Sequence, residues 1–284
     1  MQDEAERAAA DSTLVTIRPG SRSKPPLFCV HAEAGDVSLY YALAGHLAAD
    51  QPVLGLCAPV AGSFREAGER WQLEQLAEHH VREITTAEPA GPYLIVGECT
   101  GGALAYEIAR QLRADGRQVA LLALIDAFPP GMPRLQPYMP RPAHRIVHRA
   151  RILSFHLSNL LRLNMRAKLA YVAVKAKRAR TTFTTKARDA FSRSAASGPS
   201  PRLAFRQAFA AYSPQAYPGP MVLFRAARMP LGARVPPDMC WGGLVEDLHV
   251  ETIPGYFTTP ISEPGVQVLA DRLSQRVASG GSGE

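Results

Sequence analysis

Apolar residues alternate along the chain between two spacings. Short, nearly continuous apolar runs occur at Leu27–Val30, Val53–Leu56, Tyr93–Val96, Val119–Ile125, Met221–Ala226 and His249–Ile253. Their length and continuity predict strands, and Val119–Ile125 in particular suits a strand buried on both faces of a parallel sheet. Between them the spacing turns helical. Leu73, Leu76, Ala77, Val81 and Ile84 line one side of a helix over 71–87, and Tyr40–Leu47, Ala103–Ala109, Leu203–Tyr212 and Val266–Val277 predict further helices. Strand and helix in alternation imply an α/β fold with a mostly parallel central sheet. Residues 1–20, polar and Ala-rich, read as a linker or N-terminal arm.

Residues 131–200 interrupt the alternation. Pro-rich sequence at 129–142 gives way to a helical pattern carrying Ile152, Leu153, Phe155, Leu157, Leu160, Leu161 and Leu163, then Leu169, Tyr171 and Val172. Such an apolar face must pack on something, and a helical insertion over the strand ends is a lid that gates access. The core is then 21–130 together with 201–280. Charge sharpens this division, because the net +7 is concentrated in residues 141–193, which hold fourteen Lys or Arg against one acid, Asp189. A block of that kind suits nucleic acid, an anionic membrane or an acidic protein, or is simply a solvated helix face. No nucleic-acid module accompanies it, and a protein partner ranks first. No apolar run approaches the roughly 18 residues of a membrane span, and Met1–Glu4 lacks a signal peptide's features, so the expected location is cytoplasmic. Cys29, Cys57, Cys99 and Cys240 form no C-x-x-C pair, which argues against bound metal and against a disulfide framework.

The candidate chemistry lies at Val96-Gly97-Glu98-Cys99-Thr100-Gly101-Gly102. A strand leads in and a helix leads out, as a nucleophile elbow requires, and Gly97 and Gly101 bracket Cys99 as G-x-S-x-G brackets its serine. The nucleophile is a thiol. In an elbow hydrolase the residue after the nucleophile and the loop after an early strand supply the oxyanion-hole amides, here Thr100 and the 32–34 region, with Glu33 the choice. Asp126 ends the run Val119–Ile125, on the sheet edge that holds the elbow, where a carboxylate can orient a histidine base. Its plainer reading is a turn residue before Pro129-Pro130. His79 and His80 ride on the 71–87 helix and read as surface and packing residues.

These stretches, taken with Pro26–His31, Gln51–Leu56, Gly91–Gly97, Leu121–Asp126, Tyr217–Pro220, Leu223–Ala226 and Ile253–Gly255, resemble the thioesterase domains that end nonribosomal peptide and polyketide synthetases, and their free-standing relatives. They run in family order through most of the chain. The resemblance implies an α/β-hydrolase fold with a helical lid. It also implies an acyl or peptidyl chain delivered on the phosphopantetheine arm of a carrier protein, with no cofactor bound directly. By position it makes Cys99 the nucleophile, Asp126 the triad acid, and Glu33 and Thr100 the oxyanion residues. The chain would be an excised terminal domain or a free-standing enzyme that meets its carrier in trans.

Two departures shape the expectation. Cysteine stands where the family has serine, so the acyl-enzyme would be a thioester, more reactive toward amines than an oxoester. The second concerns the base: after Pro254-Gly255-Tyr256, where the resemblance places the catalytic histidine, the chain has Phe257. Phenylalanine accepts no proton. Three explanations stand: an introduced His-to-Phe change, a natural non-hydrolytic relative, or a base that has moved. His31 is the tentative replacement, although its plainer role is to fix the loop; His144 and His148 at the lid entrance are alternatives, and His249, at the wrong end of the sheet, is discounted. A thiol without a general base activates water poorly. The expected reaction is therefore release by intramolecular cyclisation, as in thioesterase domains that close β-lactone or β-lactam rings, including monobactams. An editing thioesterase that hydrolyses misloaded carriers, and a non-catalytic carrier-docking module, are the competing expectations.

Overall fold

Seven strands form one sheet in the protein, seen here in a computed structural model that describes residues 12–59, 70–133, 140–162 and 200–280. The strands are β1 (Leu14–Arg18), β2 (Leu27–Val30), β3 (Val53–Leu56), β4 (Tyr93–Glu98), β5 (Val119–Ile125), β6 (Tyr217–Arg228) and β7 (Val245–Tyr256). Their spatial order is β1-β3-β2-β4-β5-β6-β7. Only β1 is antiparallel to its neighbour; all other pairs are parallel. The described helices are α1 (Tyr40–His46), α2 (Leu73–Ala87), α3 (Gly101–Ala114), α4 (Arg141–Arg162), α5 (Pro201–Ala211) and α6 (Gly265–Gly280). None of them is long and apolar enough to cross a membrane.

Both faces of the sheet are covered, which is why its central strands are apolar throughout. On one face α2, α3 and α5 bury Leu76, Ile84, Tyr106 and Phe205; on the other α1 and α6 bury Tyr40, Leu43, Leu269 and Leu273. Each fully buried large side chain stabilises the fold by about 1.5–3 kcal/mol relative to exposure. The chain leaves β2 to form β3 on one side, then crosses back through α2 to form β4 on the other. Strand order therefore reverses at β2 and β4, and the crevice beyond their carboxyl ends is where α/β sheets place their sites.

Two sequence expectations change. Leu14–Arg18, counted within the arm, is an edge strand paired with β3. None of its residues is fully buried, Thr16 is exposed and Arg18 half-buried, so the apolar signal is weak; Arg18 is held by the carbonyls of Leu47, Ala48 and Gln51. Residues 1–11 lie outside the described residues. β7 starts at Val245, which puts His249 in mid-strand rather than at its start. Of the 131–200 insertion, α4 is described and packs on β7, whereas 134–139 and 163–199, with Leu163, Leu169, Tyr171 and Val172, lie outside the described residues.

Where α3 meets the sheet, a Cβ at Gly101 would lie 2.5 Å from the backbone oxygen of His31, an atom fixed by the end of β2. Gly101→Ala is expected to destabilise the protein by about 1–3 kcal/mol, the usual cost of overpacking. Urea unfolding followed by circular dichroism measures this.

Candidate active site

β4 runs straight into Cys99, whose φ of 52° lies in the left-handed region that non-glycine residues seldom adopt. The surroundings fix it there. Cys99 N–H donates to the Ile125 carbonyl at 3.0 Å, and Gly102 N–H donates to the Cys99 carbonyl at 3.1 Å, starting α3. A Cβ at Gly97 would meet the Ala105 Cβ and the Gly101 carbonyl at 2.6 Å each, so β4 and α3 approach more closely than side chains permit. Tyr40, fully buried on α1, donates its hydroxyl to the Val30 carbonyl and accepts from Glu98 N–H, joining the ends of β2 and β4. The side chain at 99 is thereby held above the strand ends.

Asp126, also left-handed at φ 46°, lies at the end of β5 and is fully buried. Its backbone N–H donates to the Phe224 carbonyl. Its carboxylate is gripped at both oxygens: Oδ1 accepts from Ala226 N–H and Oδ2 from Thr258 N–H, each at 2.7 Å. Burial pushes its pKa up to about 7, even though those two N–H groups and the Arg225 guanidinium favour the charged form. Thr258 follows Phe257 and is itself left-handed, φ 68°. Among the described residues no imidazole is hydrogen-bonded to Asp126.

The Cys99 thiol is driven well above the usual thiol range, first by burial and then by the Glu98 carboxylate, with Asp126 and Glu33 adding to it; a hydrogen bond from Thr100 N–H opposes the shift. The Thr100 amide therefore lies within reach of the sulfur. Glu33 is brought to the same place, but its N–H donates to Thr100 Oγ1 at 3.1 Å, and its carboxylate accepts from Arg202 Nε of α5 at 2.9 Å. That resting contact of the Glu33 amide with a side-chain hydroxyl was not foreseen.

The candidate bases separate. His31 is fully buried, its Nδ1 donating to the Ala32 carbonyl at 2.9 Å, and its ring packs on Phe205 at 5.0 Å and His80 at 5.7 Å. Burial, with His80 adding to it, lowers its pKa to about 3, far below what a general base needs near neutral pH. The tentative assignment of His31 as base is thus not supported by its surroundings, which are those of a loop-fixing residue. His249 is an exposed residue beside Asp247. His148, on α4, is the candidate the fold brings to position 257: its ring lies 6.2 Å from Phe257 and 5.5 Å from Tyr256, with Nδ1 3.0 Å from the Tyr256 hydroxyl. His144 stacks on it at 6.0 Å. Burial, then His144, lowers the His148 pKa. Phe257 closes this wall against Phe128, ring to ring at 5.5 Å.

The sequence missed the backbone amides of Ala226 and Thr258 as the grip on Asp126. Backbone donors carry no residue signature, and nothing in the local sequence announces a threonine in the left-handed region. A left-handed elbow carrying a thiol, a buried carboxylate at the end of the adjacent strand, and the Thr100 amide beside the sulfur are the layout of the α/β-hydrolase class.

The thioesterase domain family model matches residues 25–265, and the chain belongs to that family. It is 34% identical over 131 residues to a dimodular nonribosomal peptide synthase of Bacillus subtilis (strain 168), covering 45% of this chain and 5% of that protein. It is 31% identical over 129 residues to enterobactin synthase component F of Escherichia coli (strain K12), covering 45% of this chain and 10% of that one. The chain thus spans a tenth or less of the length of these relatives. Among solved structures, the NocB thioesterase domain in covalent complex with a fluorophosphonate nocardicin G analog superposes with a TM-score of 0.58 at 23% identity, over 93% of this chain and 99% of that one. The four-domain nonribosomal peptide synthetase holo-AB3403 gives 0.62 at 24% identity, over 93% of this chain and 20% of that one. Those superpositions establish the α/β-hydrolase fold.

Two measurements follow from the electrostatics. Because the thiol is raised and, among the described residues, no imidazole ion pair holds it ionised, alkylation of Cys99 by iodoacetamide is expected to keep accelerating above pH 9; a plateau near pH 7, read by peptide mass spectrometry, would contradict this. Asp126 binds its proton more tightly folded, near 7, than at its ordinary 3.8, so the stability it contributes is present at low pH and is lost as pH rises through 7. Relative to Asp126→Asn, the wild type should lose about 4 kcal/mol between pH 4 and pH 8 in urea titrations.

Proposed function

We propose that this thioesterase domain releases an acyl or peptidyl chain, delivered on the phosphopantetheine arm of a carrier protein, through a Cys99 acyl-enzyme, by intramolecular cyclisation rather than hydrolysis. The observation that carries the reading is Phe257. It fills the place that the family resemblance gives to the base, while the carboxylate that would orient such a base is held by backbone amides.

In the proposed sequence the Cys99 sulfur attacks the carrier-bound thioester carbonyl. The Thr100 amide already lies against the sulfur and meets the developing oxyanion. The Glu33 amide joins it by leaving the Thr100 hydroxyl. The phosphopantetheine thiolate departs and takes up the proton that Cys99 gives up. Exchange of one thioester for another is nearly isoenergetic, so the acyl group keeps its reactivity. Water attacking the acyl-enzyme must lose a proton in the transition state, and the side chain at 257 cannot take it. An amine, amide or hydroxyl of the substrate held against the carbonyl gains from proximity, which outweighs the missing base for that attack alone; as the ring closes the Cys99–acyl bond breaks, and the departing thiolate takes up the proton the nucleophile loses. The apolar rings of Phe128 and Phe257 support the same outcome by keeping that wall free of groups that order water. A β-lactam or other lactam or lactone is the product class, and the basic insertion is the lid and the face offered to an acidic carrier.

The test loads a peptidyl pantetheine thioester onto the wild type and onto Phe257→His and identifies products by mass spectrometry. Wild type should give cyclised product in excess over free acid. Phe257→His, which puts an imidazole beside the Asp126 grip, should raise hydrolysis by about 10²-fold, at the low end of what general base catalysis contributes. Rapid hydrolysis by the wild type with no cyclised product would overturn the proposal in favour of an editing hydrolase.

A further inference from the structure

A second cluster of chemically capable side chains lies on α2, away from Cys99, where no role in acyl transfer reaches it. His79 Nε2, His80 Nδ1 and a carboxylate oxygen of Glu83 lie within 4.8 Å of one another. Glu83 Oε2 is 3.5 Å from His79 Nε2 and 3.3 Å from His80 Nδ1. Helix geometry explains the convergence: residues 79 and 83 share a face one turn apart, and His80, turned inward and fully buried, swings Nδ1 back toward Glu83. The residue just before β1 completes the cluster. Thr13 N–H donates to Glu83 Oε1 at 2.6 Å, and the Thr13 hydroxyl donates to Oε2 and lies 3.3 Å from His80 Nδ1. Burial alone would raise the Glu83 carboxyl, but the bonds from His80 and Thr13 overrule it and hold the pKa near 2.

The protons of this cluster can be followed. The Thr13 hydroxyl hydrogen is committed to Glu83, so His80 Nδ1 must be the donor toward these oxygens, which leaves Nε2 a bare lone pair. That atom is fully buried and has no hydrogen-bond partner among the described residues. The same holds for His31, whose Nδ1–H is spent on the Ala32 carbonyl and whose Nε2 is also buried without a partner. The two rings meet edge-on at 5.7 Å. Two buried acceptors side by side, neither satisfied, are an arrangement that native interiors avoid.

A metal ion resolves it. We infer that His79, His80 and Glu83, with the Thr13 hydroxyl as a further oxygen, bind a divalent transition-metal ion of the zinc type. Two imidazole nitrogens and one carboxylate are a donor set for zinc, cobalt or nickel, and a poor one for calcium or magnesium, which want oxygen alone. On binding, the single ring proton of neutral His80 moves, by exchange with solvent, from Nδ1 to Nε2, and the freed Nδ1 lone pair goes to the metal. The Nε2–H then lies beside the ring of His31, the arrangement in which a ligating histidine donates its second N–H to a neighbouring acceptor. The ion ties the start of β1 to α2, and through His31 it reinforces the loop that leads to Glu33. The absence of paired cysteines, which argued against metal in the sequence, does not bear on a site built from histidine and carboxylate.

The test titrates the full chain with cobalt(II) and, separately, with zinc(II) against a chromophoric chelator, using Cys99→Ala so that the active-site thiol does not compete. One ion per chain, visible cobalt d–d absorption without a thiolate charge-transfer band, and a higher melting temperature with zinc are expected. His79→Ala, which alters the less buried histidine and should preserve the fold by circular dichroism, is expected to weaken binding at least tenfold; Glu83→Gln should do the same. Binding of equal strength in folded His79→Ala, a cobalt spectrum showing thiolate ligation, or no saturable binding would each overturn the inference.

Discussion

The left-handed backbone at Cys99 is the constraint on which the rest of the site depends. A non-glycine residue at φ 52° persists only where its neighbours allow no alternative. Here they are the ends of three parallel strands: β5 accepts the Cys99 amide, Tyr40 ties the end of β2 to the elbow, and the glycines at 97, 101 and 102 let α3 press against the sheet. The same close packing that enforces the strain delivers the sulfur above the sheet and aims the next amide at it. Folding energy from two large buried faces is thus converted into the position of one atom.

Asp126 obeys a parallel logic on the adjacent strand. It too is left-handed, its amide bonds to β6, and its oxygens reach the backbone of β6 at Ala226 and the turn after β7 at Thr258. These contacts stitch β5, β6 and β7 together at the crevice, so the carboxylate has a structural task that does not require a histidine. Burial opposes charge at both groups, raising the acid to about 7 and the thiol well above its usual range, so the site disfavours two adjacent uncompensated charges. On the proposed reading, charge appears at the sulfur only as the acyl donor arrives.

Much of this was legible in the sequence because the signals were local. The runs 93–96 and 119–125 are apolar throughout since helices cover both faces, and strand, glycine-bracketed cysteine and helix follow one another without a break. The edge strand Leu14–Arg18 was not legible: an edge needs only one buried side, and its polar residues bond to a loop some thirty positions away. His31 looked plausible because it stands at the end of β2. The fold turns its ring toward α2 and α5, and that direction depends on Phe205 and His80, contributed by distant parts of the chain. The Thr258 amide was invisible for the same reason.

His148 shows how a helix outside the sheet's own layers borders a site whose fixed part is already built. α4 carries it to the Phe257 ring, with Nδ1 bound to Tyr256, the residue that precedes the base position. That imidazole is carried by α4 rather than by the sheet, and burial, with His144 adding to it, lowers its pKa. Its Nδ1 is engaged with the Tyr256 hydroxyl, and among the described residues no hydrogen bond links it to Asp126. What it can do is bound the space in which the acyl chain folds. On the proposed reading this is the more useful service: where no base selects water, the walls that set the conformation of the bound chain decide which of its own atoms reaches the thioester carbonyl.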